Sequence, residues 1–248
     1  MNNLVTVYIT NFNYGKYLEK SIQSVLKQSY KNLFLIIIDD NSKDNSKKIL
    51  LNYKKKKNIK IFFNKKNRGL IRSANLALKH SKGNYILRLD ADDYLHKNAI
   101  KDLIESIRDK KKAVMTFPNF YKINKKYKII SKYSYKNKID YDLYDKPAHG
   151  ACCLIKISFL KKIGGYNETF DRQDGHYLWY SILSSKKTIS HINKFLFYYR
   201  MHKDNLSKQK KKILLTRLKI INFFLKKKQF IKKFNYQKKI TKKELNFI

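Results

Sequence analysis

The feature that most constrains this chain is Leu33 to Ile38, LFLIII, six side chains in a row without a polar atom. A run that short, apolar on both faces, reads as a strand in the middle of a parallel sheet with helices on both sides. Its neighbours agree. Leu4 to Thr10 (LVTVYIT) predicts a strand, and Tyr14 to Gln28 a helix carrying Tyr14, Leu18, Ile22, Val25 and Leu26 at helical spacing. A polar break leads to a helix over Asp44 to Tyr53, a strand over Ile59 to Phe63 and a helix from Gly69 to His80. A strand at Tyr85 to Leu89, a helix at Asn98 to Arg108 and a strand at Ala113 to Phe117 follow. Such alternation means a doubly wound α/β sheet.

Beyond Phe117 the pattern loosens. Asn119 to Tyr144 is rich in Tyr and Lys and predicts a hairpin and a loop. GACCLIKISFLKKIGGY, from Gly150, predicts strand, short helix and a Gly-Gly stop. Asp174 to Ser184 predicts a helix, and Thr188 to Ile192 and Phe195 to Arg200 two strands. From Lys208 the chain is Lys-rich, with Ile213, Leu214, Leu218, Ile221 and Leu225 at helical intervals. At 248 residues it suits one domain with a modest appendage.

With 57 Lys plus Arg against 18 Asp plus Glu, the formal charge is +39, which invites a polyanion or nucleic-acid reading. The bases are 50 Lys and only 7 Arg, beside 23 Asn. Base readout and bidentate phosphate contacts favour Arg, so the excess reads as compositional and no specific nucleic acid is expected. Cys152 and Cys153 are adjacent, a spacing that disfavours a disulfide and fits no common zinc pattern; they read as small buried strand residues in a reducing compartment. Met1 to Thr10 lacks the pattern of a signal peptide, and no stretch approaches the ~20 apolar residues of a membrane span. The expected location is the cytoplasm, peripheral at the inner face of the cell membrane if the tail docks there.

In a parallel α/β sheet, ligands bind outside the carboxyl ends of the strands. Asp39 and Asp40 close one strand in IIIDDNSKDNS, and Asp90, Asp92 and Asp93 close another in YILRLDADDYL. Asp44 reads as a helix cap. The other five are too concentrated for a chain so poor in acids to be caps alone. An Asp-x-Asp pair offers hard oxygens to Mg²⁺ or Mn²⁺, which also hold diphosphate. No GxGxxG and no GxxxxGK[ST] is present, which argues against a dinucleotide enzyme and a P-loop NTPase. A metal-bridged nucleoside diphosphate, bound without a Gly-rich cradle, remains.

Six ordered segments carry a family resemblance: VYITNFNYGKYLEKSIQSVLKQSY, IIIDDNSKDNS, NRGLIRSANLAL, LDADD, GGYNETFDRQDGHYLW and YYRMHKDNLS. Over roughly residues 4 to 207 the chain resembles a family 2, GT-A-fold glycosyltransferase of the inverting kind. Asn41 stands where Gly is commoner, Ala74 where many members have Arg, and Gln173 where the acceptor-side pair has Glu. The resemblance implies a GT-A domain over 1–207, with a nucleotide-binding half (1–117), an acceptor half (118–207), and a Lys-rich amphipathic tail over 208–248.

By the same resemblance Thr10 and Phe12 line the base pocket, with Phe12 stacking on a pyrimidine. Asp39 and Asp40 accept from the base, and Asp90 meets ribose or metal. Asp92 coordinates Mn²⁺ or Mg²⁺, Asp93 supports or caps, and Asp174 is the general base on the acceptor hydroxyl. Several positions keep two readings. His202 is a metal or diphosphate ligand, or a surface histidine. Arg200 neutralises phosphate, as Arg68 and Arg72 would, or pairs with an acid. His149 and His176 face the acceptor or are structural, and Trp179 stacks on a sugar or packs in the core. The expected partners are a nucleotide-sugar donor, UDP-linked in the family's manner, and a saccharide or lipid-linked acceptor of hexosyl or N-acetylhexosaminyl transfer in cell-surface polysaccharide synthesis. The tail either lies on anionic lipid or packs its apolar stripe on the domain. The rival functions are a non-catalytic sugar-nucleotide-binding partner, a polyanion-binding basic protein and a nucleotidyltransferase, the last lacking its Gly-rich phosphate loop.

Overall fold

The computed structural model describes residues 3–108, 110–136, 138, 141–172, 174–203, 205 and 208–248, apart from the side chain of Asp174. In chain order the elements are β1 (Val5–Asn11), α1 (Gly15–Leu26), β2 (Leu33–Asp39), α2 (Ser46–Leu51), β3 (Ile59–Phe63), α3 (Leu70–His80), β4 (Tyr85–Asp90), β5 (Tyr94–Leu95), α4 (Ala99–Arg108), β6 (Ala113–Ile123), β7 (Ile129–Tyr133), β8 (Leu154–Lys156), α5 (Ile157–Lys162), α6 (Asp174–Ser184), β9 (Thr188–Arg200), α7 (Lys210–Lys226) and α8 (Ile231–Asn246). The strands form one sheet in the order β3-β2-β1-β4-β8-β6-β9-β5, with β7 paired to β6.

The side-chain alternation of β1 and β2 explains the two-faced apolar run. Val5, Val7, Ile9, Leu35 and Ile37 point into one core, with Leu18, Ile22 and Val25 of α1 and Leu103 and Ile107 of α4. Tyr8, Phe34, Ile36 and Ile38 point into the other, with Ala74, Ala77 and Leu78 of α3 and Trp179 of α6. β3, β2, β1 and β4 run parallel, so their carboxyl ends share one rim.

The second half is mixed. β8 lies antiparallel between β4 and β6, a three-residue wedge joining the halves into one sheet. Thr188 to Arg200 forms one long strand parallel to β6, where two were expected; a register shift between Pro118 and Asn119 absorbs the polar Asn193 and Lys194. Cys152 and Cys153 are buried free thiols, as their size suggested, but occupy the turn before β8, with Cys152 at φ 59°.

The tail is a helical hairpin, and its apolar stripe packs on the domain. Ile220, Ile221 and Phe224 of α7 and Phe234 of α8 join the core that contains Tyr177 and Tyr180 of α6. Phe224 and Phe234 stack at 5.3 Å between centroids. No helix of the described residues is long and apolar enough to cross a membrane.

Candidate active site

Four side chains are brought together at the carboxyl rim because β1, β2 and β4 end in register. Asn11 is the Cα partner of Asp39, and Thr10 that of both Ile38 and Asp90. Alternation puts Thr10 and Asp90 on the α3 side of the sheet and Asn11 and Asp39 on the α1 side. Asn11 Nδ2 donates to Asp39 Oδ1 (2.7 Å) and Ser42 Oγ (3.0 Å), and the Ser42 amide donates to Asp39 Oδ2 (3.1 Å). The buried Asp39 carboxylate is thereby oriented. Phe12, one residue beyond the strand, is 43% exposed, an unusual state for a ring and one that suits stacking on a base.

Asp40 is more committed than its position suggested. It accepts from Asn64 Nδ2 (2.7 Å) and the Arg68 amide (2.8 Å) on one oxygen, and from the Gly69 amide (2.8 Å) on the other. These bonds hold the loop before α3 and set a negative charge at its amide end. Gly69 sits at φ 83°, which lets its amide reach back. Three of roughly four carboxylate acceptor sites are thus in use. Asp44 is the cap its spacing predicts, accepting from the amide of Ser46, the first residue of α2, and also from that of Gly15, the first residue of α1.

Asp90 faces a partner that sequence reading missed. Arg88, two residues earlier on β4 and so on the same face, places Nε 3.0 Å from Asp90 Oδ1. The guanidinium is almost buried, and the i, i+2 spacing was its only signal.

Beyond β4, the Asp-x-Asp turn meets the end of β9. His202 Nε2 lies 2.8 Å from Asp92 Oδ2, and its side chain is fully buried, so it is not a surface histidine. The Arg200 amide donates to Asp93 Oδ1 (2.8 Å), and Arg200 Nε donates to the Asp92 carbonyl (2.6 Å). Its guanidinium carbon lies 4.4 Å from the Tyr17 ring centroid and 4.2 Å from that of Tyr127. Arg200 is 0% exposed, so it does not present its charge to a phosphate; it clamps the backbone of the turn instead. Burial, with Asp92 and Asp90 beside it, raises Asp93 well above the ordinary carboxylate range.

On the acceptor side, α6 begins at Asp174, and Gln173 lies outside the described residues. A Cβ on Gly175 would come within 3.2 Å of the Ala148 carbonyl and 3.6 Å of Gly150, so glycine lets the start of α6 press on the His149 loop. His149 Nδ1 accepts from the Ala151 amide (3.2 Å), and its ring packs against Phe120, Phe197 and Tyr199. Burial, then the Arg217 and Lys146 cations, push His176 well below the usual imidazole range. Trp179 is 0% exposed among Phe117 and Tyr141, with Nε1 donating to the Asp142 carbonyl (3.3 Å). It is a core residue, not a sugar platform. Arg72 pairs with Glu168 (3.3 Å), and the Arg68 side chain is exposed.

The model of the Glycosyl transferase family 2 matches residues 6–164. The chain belongs to this family. Among curated relatives of the transferase is the UDP-Glc:alpha-D-GlcNAc-diphosphoundecaprenol beta-1,3-glucosyltransferase WfaP of Escherichia coli, 31% identical over 223 residues, covering 88% of this chain and 85% of the relative. The enzyme WfgD of Escherichia coli, with the same descriptive name, is 30% identical over 224 residues, 90% and 87% of the two chains. The fold matches S. aureus TarS 1-349 in complex with UDP-GlcNAc, with TM-score 0.72, 19% identity, and 88% and 65% of the chains covered. It also matches mannosyltransferase PcManGT from Pyrobaculum calidifontis in complex with GDP-Man and Mn2+, with TM-score 0.72, 13% identity, and 90% and 64% coverage. The transferase therefore has the GT-A fold.

The donor atoms of the Asp-x-Asp turn suit a divalent ion. Bonds of ~2.1 Å place neighbouring ligand atoms about 3 Å apart, and Asp92 Oδ2 and His202 Nε2 are 2.8 Å apart. Among the described residues of the transferase no group of three or more His, Cys, Asp or Glu could hold a metal. Asp92 and His202 would hold such an ion as a pair, short of a complete protein site, which suits an ion that would bind together with a diphosphate.

Proposed function

We infer that the chain transfers a sugar from a nucleoside-diphosphate donor to a hydroxyl of a saccharide or lipid-linked saccharide, with inversion. The observation that carries this is the convergence of Asp92 and His202, beside Asp39 and Asp90, at the shared carboxyl rim. A uridine donor and a diphospholipid-linked acceptor are the specific reading, supported by the names of WfaP and WfgD, and a role in cell-surface polysaccharide synthesis is part of the same proposal.

In this reading Phe12 stacks on the base, while Asp39, held by Asn11 and Ser42, accepts from it. Asp90, oriented by Arg88, accepts from ribose hydroxyls. Asp92 and His202 hold Mn²⁺ or Mg²⁺, which when bound offsets charge developing on the leaving diphosphate. Asp174, at the head of α6, takes the proton of the acceptor hydroxyl as that oxygen attacks the anomeric carbon. The C1–O bond to diphosphate breaks as the new C1–O bond forms. The His149 loop, pressed on the same helix start, belongs to the acceptor wall.

The test is nucleoside diphosphate release from a panel of UDP-, GDP- and TDP-sugars, with a synthetic N-acetylglucosaminyl diphospholipid as acceptor. One donor should react, and Asp174→Asn should lower turnover by about 10²–10⁴-fold with little change in donor binding. Equal turnover by the variant would remove Asp174 from the chemistry. Saturable donor binding without transfer to any acceptor would favour the non-catalytic reading.

A further inference from the structure

Of the stripe expected to lie on lipid, Leu214 and Ile221 are buried and Leu225 packs against the core that holds α6, which turns attention to the end of the hairpin. The tip of the helical hairpin has the composition for membrane contact. The α7–α8 turn, residues 227–230, ends in Phe230 at φ 52°, and Lys228 is at φ 54°. A left-handed aromatic residue is strained, yet Phe230 leaves its ring 38% exposed, and Ile231 beside it is 47% exposed. Lys226, Lys228 and Lys232 flank them, exposed and without a carboxylate partner among the described residues. Behind the tip lies a hollow of about 460 Å³ lined by Ser184, Ser185, Lys186, Gln229 and Phe230.

Three observations mark that hollow as suited to an anion. Ser184 Oγ is buried and has no hydrogen-bond partner among the described residues. The first turn of α8 has no side-chain cap and no acidic residue of its own, so the positive helix end is not offset from within the helix. Cations also crowd this end: Lys187 follows Lys186, and burial with the Lys187 charge lowers Lys156 from its ordinary value.

We propose that the α7–α8 tip docks the enzyme on an anionic bilayer, with Phe230 and Ile231 entering the headgroup–acyl boundary and a lipid phosphate seated between Lys186, Ser184 and the start of α8. Apolar side chains at a tip ringed by lysines combine the two terms that interfacial binding uses, apolar burial and attraction to anionic lipid. A lipid-linked acceptor would then be met at the surface that carries it, but the docking stands apart from the transfer chemistry.

Sedimentation of the full chain with vesicles, without nucleotide or acceptor, tests it separately from the proposed activity. Vesicles of 30 mol% phosphatidylglycerol in phosphatidylcholine (about one anionic lipid in three) should retain the protein, and pure phosphatidylcholine should not. F230S/I231S should weaken partitioning about tenfold, and each of K226Q, K228Q and K232Q about fivefold. F247S/I248S, altering the exposed apolar pair beyond the far end of α8, should change nothing. Thermal melts establish that each variant is folded. Equal binding to both vesicle types, or full binding by folded F230S/I231S, would overturn the proposal. Loss of binding in F247S/I248S alone would assign docking to the other end. If 10 mM inorganic phosphate (about the strength of a buffer) abolished partitioning, the hollow would hold free phosphate instead of lipid, since vesicle attraction at that ionic strength is only weakly screened.

Discussion

His202 Nε2 and Asp92 Oδ2 stand 2.8 Å apart although 110 residues separate them in the chain. The closing segment is brought to the Asp-x-Asp turn by β5 pairing with β9, Tyr94 with Tyr198 and Leu95 with Phe197. His202 is then steadied from behind, since its amide donates to Asn205 Oδ1 (2.5 Å) and Asn205 Nδ2 donates to the Arg200 carbonyl (2.9 Å). His202→Gln keeps a hydrogen-bonding group beside Asp92 but removes the imidazole. The Mn²⁺ concentration giving half-maximal activity should rise at least about tenfold, read by metal titration. An unchanged metal requirement would reduce His202 to a packing role.

Arg200 acts on the same turn through the backbone. Substituting Met removes the Nε bond to the Asp92 carbonyl and the charge between Tyr17 and Tyr127, while filling similar volume. A buried acceptor left unpaired and two lost cation–π contacts should cost about 2–4 kcal/mol in a denaturant melt. Metal affinity should fall with it, because the ligand-bearing turn loses its clamp.

Asp40 separates a structural from a binding role. Asp40→Asn leaves one oxygen where the Arg68, Gly69 and Asn64 donors now share two. We expect a stability loss of about 2 kcal/mol and weaker order at the start of α3, measurable by amide exchange of residues 68–73. Weaker nucleotide binding at unchanged stability would assign Asp40 chiefly to the base.

What could be read from the sequence was the part that local chemistry determines. Periodicity places the strands and helices of residues 5–108, apart from the two-residue β5, because each is covered on a predictable face, and the strand-end aspartates follow from the parallel rim. Arg88 was passed over because one arginine in an apolar strand gives no clue to its partner until the pleat sets it beside Asp90. The role of Arg200 depends on Tyr17 and Tyr127, brought to it from opposite ends of the chain. β8, at three residues, has too little pattern to announce that it wedges antiparallel between β4 and β6. The tail's apolar stripe was visible, but periodicity alone cannot say whether lipid or protein covers it.

The histidine of α6 sets a pH dependence. His176 titrates well below its ordinary value in the fold, so the unfolded chain binds more protons once the pH drops below about 6.5. Stability contributed by the neutral form is therefore complete above that pH and declines on acidification toward the lower folded value. His176→Leu should flatten the fall in melting temperature between pH 7 and 5 (about the range over which free imidazole gains its proton). An identical slope in the variant would assign the fall to other groups.

The central claim is that the Asp92–His202 pair and a nucleoside diphosphate hold one divalent ion between them. Calorimetric titration of UDP, GDP, CDP and TDP, with Mn²⁺ and with EDTA, into the protein and Asp92→Ala tests it most directly. The account predicts saturable binding of one nucleotide that requires Mn²⁺ and is lost in the variant. Binding of all four without metal, equal in Asp92→Ala and fading with salt, would contradict it and leave a basic surface attracting polyanions.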